Sequence, residues 1–250
     1  MRQMRTASPS LDSGGADAAA RLRKVFLLAG ATASGKTAIA AALAREMGAA
    51  VLSADSMLVY KGMDIGTAKP SMAEREGYIL GGIDLVTPAE EFSAGDWLRA
   101  ARRFAKSLPA DMPLIVTGGT GLYFSALLRG IDRAWVKPPP EYPVLLCRDR
   151  DERRRRIKLR LEKMFADGLE DEVRRLRAQY PVWSRTAAAA IGYKEFDLPD
   201  AKEKIYFRTC QYAKRQDTWF RHQSTPLYVD PSVDAVRELW RARGPWEAAL

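Results

Sequence analysis

The stretch Gly30-Ala31-Thr32-Ala33-Ser34-Gly35-Lys36-Thr37 constrains this chain more than any other. It fits G-x-x-x-x-G-K-[ST] in full. It follows a short apolar, β-branched run, Val25–Ala29, and opens the helical pattern Lys36–Met47, which is the context the loop's mechanics require. Glycines let backbone N–H groups turn inward, and the helix N-terminus adds positive potential, so the segment is a cradle for phosphate groups. Lys36 supplies a point charge for phosphate oxygens, and the Thr37 hydroxyl can hold Mg²⁺.

Periodicity along the rest of the chain extends this start into an α/β plan. Buried-strand runs recur at Ala50–Leu52, Leu114–Val116 and Val144–Cys147. Helical patterns stand between them: Ser93 with Asp96 is a capping box opening a helix to Ser107, and another pattern spans Leu122–Leu128. Alternating strands and helices imply a mostly parallel sheet covered on both faces, a P-loop nucleoside-triphosphate-hydrolase-like core. Beyond Asp149, which makes a second capping box with Glu152, the signal is helical, with helices expected to Ala166, from Leu169 to Tyr180, from Ala201 to Phe220 and from Val233 to Arg243. The expected organisation is a disordered tail over 1–23, a P-loop α/β core over 24–147, and a basic helical part over 148–250 that packs back on the core. The run Pro138-Pro139-Pro140 is the expected lobe boundary.

Composition narrows the chemistry. Two cysteines, Cys147 and Cys210, make neither a disulfide scaffold nor a four-ligand zinc site, and the single His222 excludes reactions that need paired imidazoles. No apolar run is long enough for a bilayer, and the first residues lack a secretory apolar core, so a cytoplasmic protein is expected. Forty Lys+Arg against 31 Asp+Glu give a net charge of +9, which favours polyanionic partners. From Arg148 to Arg177 there are twelve basic and eight acidic residues, including the run Arg153–Arg156. That run reads equally as phosphate contacts or as a solvated face laced with pairs such as Glu152–Arg156. Lys204, Arg208 and Arg215 align on one side of an ideal helix and form a more deliberate basic stripe. Trp183, Trp219 and Phe220 read as core anchors, and His222 as a surface residue.

What the cradle holds is decided by what stands near it. An ATP hydrolase presents a second strand ending in a metal-holding Asp. The candidate strand, Leu114–Thr117, runs instead into Gly118-Gly119-Thr120-Gly121 and carries no acid there. A loop that grips phosphates without that acid suits a diphosphate leaving group, though small-molecule kinases remain open. Ser53-Ala54-Asp55-Ser56 follows the second strand, so Asp55 stands at a carboxyl edge, where ligands bind in open α/β sheets. There it can act as general base or metal ligand, or simply help form a turn. Tyr60–Pro70 lacks periodicity and reads as a loop over the site.

Together these motifs resemble the tRNA dimethylallyltransferases. The resemblance is carried by Gly30–Thr37, Ser53–Met57, Tyr60–Pro70, Gly118–Tyr123, Gly168-Leu169 with Glu172-Val173, Ala190–Glu195 and Tyr212–Arg221, in order over most of Val25–Val229. It implies transfer of the five-carbon unit of dimethylallyl diphosphate to N6 of an adenosine next to the anticodon of tRNA, with Mg²⁺ as cofactor. It implies that Thr32–Thr37 hold the diphosphate, although such cradles are often labelled ATP-binding. By the same resemblance Asp55 is the general base, Thr120 meets the target adenosine, and Asp55, Ser56, Met57 and Leu58 touch tRNA. Lys214 and Arg215 fall in a signature close to the diphosphate; Arg215 is assigned to the donor, Lys214 and Arg208 to tRNA.

The chain departs from the family in two places. Gly81-Gly82 stand where relatives carry a His pair, and only Gly130–Glu141 bridge a gap that relatives fill with a helical subdomain clamping the anticodon arm. The rivals are therefore an adenylate isopentenyltransferase acting on free nucleotide, a non-catalytic RNA-binding remnant of the family, and a P-loop kinase.

Overall fold

The structure, a computed structural model, describes residues 22–129, 142–145, 149–223 and 226–250. In chain order the elements are β1 (Leu22–Gly30), α1 (Lys36–Met47), β2 (Ala50–Ser53), β3 (Leu80–Gly81), α2 (Ala94–Ser107), β4 (Leu114–Gly118) and α3 (Gly121–Arg129). They continue with β5 (Tyr142–Leu145), α4 (Arg150–Ala166), α5 (Leu169–Gln179), α6 (Arg185–Ala188), α7 (Ala201–Gln223), β6 (Pro226–Val229), α8 (Val233–Arg243) and β7 (Trp246–Ala249).

One sheet of order β3-β2-β4-β1-β5-β6 runs parallel throughout, and β7 pairs antiparallel with the first residues of β1. Registers such as Leu27↔Val116 and Leu52↔Val116 put β4 between β1 and β2. The loops leaving those three strands therefore share one carboxyl edge, and the P-loop, the Asp55 turn and the Gly118–Thr120 turn become neighbours.

The unbroken apolar reading of β1 has a physical cause. Alternate side chains enter opposite layers: Phe26 and Leu28 pack with Ile39, Leu43, Val236 and Trp240 of α1 and α8. Val25 and Leu27 join a larger cluster with Trp97, Phe124, Leu161, Leu169, Val173, Ile205 and Phe220. A parallel sheet buried on both faces reads this way in sequence. The second cluster takes side chains from α2–α3 and from α4–α7 alike, so the basic helices share the core of the sheet.

Several expectations are corrected. Arg23, placed by sequence in the tail, is 8% exposed within β1, and its guanidinium donates to the carbonyls of Met112, Leu108 and Pro109 at 2.8, 3.1 and 3.0 Å. The second half is not wholly helical, since β6 and β7 return to the sheet. Each strand is only four residues long, and β7 is interrupted by Glu247, so neither announces itself by periodicity. Residues 1–21, Cys147 and the proline run at 138–140 lie outside the described residues. Ser93 and Asp96 form the expected reciprocal box, whereas at Asp149 the side chain caps the N–H groups of Asp151 and Glu152 and the Glu152 carboxylate pairs with Arg155.

Gly81 and Gly82 have a steric role here. A Cβ on Gly81 would lie 2.5 Å from the Phe104 ring, and one on Gly82, which has φ 79°, would lie 2.6 Å from the Ser53 carbonyl oxygen. Phe104 therefore closes onto the sheet edge where a side chain at Gly81 would block it, and Gly82 lets the chain pass close to the end of β2.

Candidate active site

Gly35 takes φ 91° and starts α1 without a side-chain cap, leaving the helix N-terminus to the loop. The Lys36 ammonium rests on the Ala31 carbonyl at 3.3 Å. Burial pushes its pKa down to about 8, with Asp55 holding it up and Arg160 pushing it further down. Thr37 lines a cavity of about 480 Å³ together with Lys36, Arg45, Arg156 and Arg160.

Asp55 leaves the carboxyl end of β2, and its carboxylate accepts the Met57 N–H at 3.0 Å. It lines a second cavity, of roughly 280 Å³, with Thr32, Ser56, Met57, Thr67, Arg160, Tyr212 and Arg215. Thr120 is bound into the same turn: its N–H donates to the Ala54 carbonyl at 3.1 Å, and its hydroxyl oxygen accepts the Ser56 N–H at 2.9 Å. Thr120 and Leu58 both stand outside that lining, and the Leu58 carbonyl accepts the Asp84 N–H at 3.1 Å. The cradle, the carboxylate and Thr120 are thus assembled by adjacent strands.

Three residues without an expected role complete the cavity. Arg160, on the inner face of α4 with Ile157 and Met164, donates to the Thr32 hydroxyl at 3.3 Å and to the Thr67 carbonyl at 3.2 Å. Burial lowers its pKa while Asp55 raises it. Tyr212 stands beside Thr120 and Gln216, and burial followed by the Asp55 charge pushes its phenol up to about 12. Gln216, 5% exposed, bonds to both the P-loop and the Gly-Gly turn. Each carries a helical-spacing signal: an arginine on an apolar stripe, and Tyr212 four residues before Gln216.

Along α7 the basic stripe divides. Arg215 lies in the cavity with its guanidinium 5.7 Å from the Tyr212 ring centroid. Lys214 faces a separate groove with Arg150, Arg153 and Arg154. Arg208 has a structural partner as well, because its guanidinium, 41% exposed, pairs with Glu195, whose side chain is 1% exposed. Lys204 donates to the Pro199 carbonyl at 2.6 Å. Of the run Arg153–Arg156, Arg153 pairs with Asp217 and Arg155 with Glu152, while Arg156 enters the cavity beside Lys36. Phe220 is a core anchor, packed edge-on to Phe124, and His222 is exposed.

Comparison with known proteins identifies the family. The IPP transferase family model matches residues 58–144 and 133–223, and the isopentenyl transferase model matches 23–79. The two segments of the first match overlap over 133–144, at the short connector. A tRNA dimethylallyltransferase of Trichormus variabilis is 31% identical over 271 residues, covering 80% of this chain and 92% of the relative. One of Sulfurihydrogenibium sp. is 32% identical, covering 86% and 94%. The crystal structure of a tRNA delta(2)-isopentenylpyrophosphate transferase from Staphylococcus epidermidis superposes with a TM-score of 0.76 at 25% identity, over 88% of this chain and 98% of that one. By fold and by sequence over most of its length, this chain belongs to the tRNA dimethylallyltransferase family of IPP transferases.

Proposed function

We propose that this chain is a prenyltransferase that moves the dimethylallyl group of dimethylallyl diphosphate to N6 of an adenosine next to the anticodon of tRNA. The observation that carries the reading is the convergence of Asp55, Thr32 and Arg160 on one cavity, with Lys36 within electrostatic reach of Asp55. An adenine amino group is a poor nucleophile, because its lone pair is delocalised into the ring. As N6 bonds to the allylic carbon, Asp55 accepts the N6 proton, and the C–O bond breaks with its electron pair passing to diphosphate. P-loop N–H groups, Lys36 and Arg160, preorganised around that growing charge, lower the barrier. Arg215 flanks the same cavity and Thr120 orients the adenine. Extracting that base from its stack costs a few kcal/mol, offset by contacts in the pocket.

Mg²⁺ fits the residues present. Among the described residues no group of three or more His, Cys, Asp or Glu could cage a metal. A phosphate-bound Mg²⁺ needs only one or two protein oxygens, and the Thr37 hydroxyl beside Lys36 is of that kind. When bound, the ion would neutralise charge on the leaving diphosphate. Among the described residues no helix is long and apolar enough to cross a membrane. Our proposal that the enzyme acts in the cytoplasm rests instead on its proposed acceptor, tRNA.

A second reading, transfer to a free adenine nucleotide, is favoured by one observation. The alignment to the Trichormus relative spans 271 positions, more than this chain's 250 residues, so the relative carries segments that this chain lacks. Labelled dimethylallyl diphosphate offered in parallel to an anticodon stem-loop, to AMP and to no acceptor separates the two. Label in the stem-loop is the expected result. Label in AMP alone would establish the second reading. Salt-sensitive RNA binding without transfer would leave an RNA-binding remnant.

A further inference from the structure

Glu172, in the first turn of α5, is 4% exposed. One carboxylate oxygen accepts the N–H groups of Asp64 and Ile65 at 2.9 and 2.8 Å. The other accepts the Gly66 N–H at 3.0 Å and the Tyr193 hydroxyl at 2.5 Å. Burying a carboxylate is costly unless its lone pairs are satisfied, and here four donors satisfy them. Three successive N–H groups turned onto one anion form a nest, the device that elsewhere grips a ligand phosphate. Here it grips a side chain, so the loop is shaped by the protein itself. Burial and the Glu172 charge push the Tyr193 phenol up, which keeps it a donor.

The next loop residue connects this nest to the cavity. Thr67 lines the site, and its carbonyl accepts Arg160, whose guanidinium also reaches the Thr32 hydroxyl of the cradle. A second anchor, Lys69, meets the same loop at Asp64 and ties it to the chain on its far side. The buried Lys69 ammonium donates to the Tyr60 carbonyl at 2.8 Å and to the carboxylates of Asp64 and Asp84 at 2.5 and 2.6 Å.

We infer that Glu172 is a positioning residue for the transfer reaction: by fixing Asp64–Gly66 it sets the Thr67 carbonyl, and through that carbonyl it aims Arg160 at the diphosphate of the donor. The inference rests on the prenyl-transfer reading. Loss of Glu172 removes the anchor of the Asp64–Gly66 N–H groups and lets the Thr67 carbonyl shift, while Lys69, bonded to the Tyr60 carbonyl and to the Asp64 and Asp84 carboxylates, keeps the loop attached, so the protein still folds.

The test is a double-mutant cycle in the full chain with Glu172→Gln, Arg160→Ala and both together, read by the affinity for inorganic pyrophosphate and by the KM for donor. Glu172→Gln presents an NH₂ group to two donors, and both quantities should weaken by about tenfold with stem-loop affinity unchanged. The double variant should be no weaker than Arg160→Ala alone, because the effect passes through the same guanidinium. Tyr193→Phe, which removes one donor from the same carboxylate, should shift both quantities in the same direction by about two- to threefold. Unchanged pyrophosphate affinity in a folded Glu172→Gln, additive losses in the cycle, or (if that variant fails to fold) an unaltered Tyr193→Phe would each overturn the inference. A wild-type chain that binds pyrophosphate but transfers no prenyl group would instead sink the proposed reaction, and the binding cycle would still report on Glu172.

Discussion

Gln216 joins the two glycine-rich turns of the site through one side-chain amide. Its Oε1 accepts the Thr32 N–H at 2.8 Å, and its Nε2 donates to the Gly119 carbonyl at 3.0 Å. A Cβ at Gly119 would lie 2.1 Å from that nitrogen, so the absence of a side chain there is what admits the amide. Gln216→Ala leaves two backbone groups without partners, each costing about 1–3 kcal/mol. Pyrophosphate affinity should fall by about tenfold or more, together with the melting temperature. Gln216→Glu keeps the acceptor for Thr32 but turns an oxygen towards the Gly119 carbonyl, and should fare no better near neutral pH. Calorimetric titration with pyrophosphate checks both; wild-type affinity in either variant would remove Gln216 from the cradle.

Asp55 is the one carboxylate lining the cavity it shares with Arg160 and Thr32 among the described residues. Asp55→Asn preserves shape and the acceptor for the Met57 N–H but cannot take the N6 proton. Single-turnover transfer should drop by about 10²–10⁴, the usual worth of a general base, with pyrophosphate affinity nearly unchanged. Near-normal turnover would assign the proton to another group.

Legibility in the sequence followed the range of the interactions. The P-loop was readable because its chemistry is local: glycines, a lysine and a helix start within eight residues. Asp55 was readable because a residue just after a buried strand must stand at the sheet's carboxyl edge. Arg160 and Gln216 were not, since their partners lie 128 and 184 residues away and exist only once α4 and α7 have packed. The basic stripe was legible only in part. Ideal helix geometry aligns Lys204, Arg208 and Arg215 correctly, but it cannot show that Glu195 is buried beneath Arg208. The edge strand β3 is two residues long and left no pattern to read.

Arg208 and Arg215 should therefore separate on substitution. Arg208→Ala strands the buried Glu195 carboxylate, which also accepts the Gly192 N–H at 2.8 Å. Because Arg208 itself is 41% exposed, water softens the loss, and a destabilisation of about 1–3 kcal/mol is expected. Arg215→Ala should keep the melting temperature and impair transfer, because its guanidinium lines the cavity. Thermal melts and transfer kinetics on the two variants decide this, and identical behaviour would refute the division.

The Lys36 ammonium gives the site a pH signature. Its pKa in the folded protein stands at about 8, below the ordinary lysine value, chiefly through burial. Between about pH 8 and that ordinary value the unfolded chain binds the proton that the folded chain has lost, so this group's contribution to stability rises with pH across the window. Diphosphate acts in the other direction, since its negative charge favours the ammonium. Binding above about pH 8 must then draw a proton from solvent, and affinity for pyrophosphate should decline with pH more steeply than the ligand's own ionisation dictates. Lys36→Arg supplies the control, because a guanidinium stays charged throughout this range. Titrations in buffers of different ionisation enthalpy should show proton uptake for wild type that is absent from Lys36→Arg. Parallel pH profiles for the two proteins would mean that Lys36 keeps its proton in the free cradle, and that burial there is relieved by solvent.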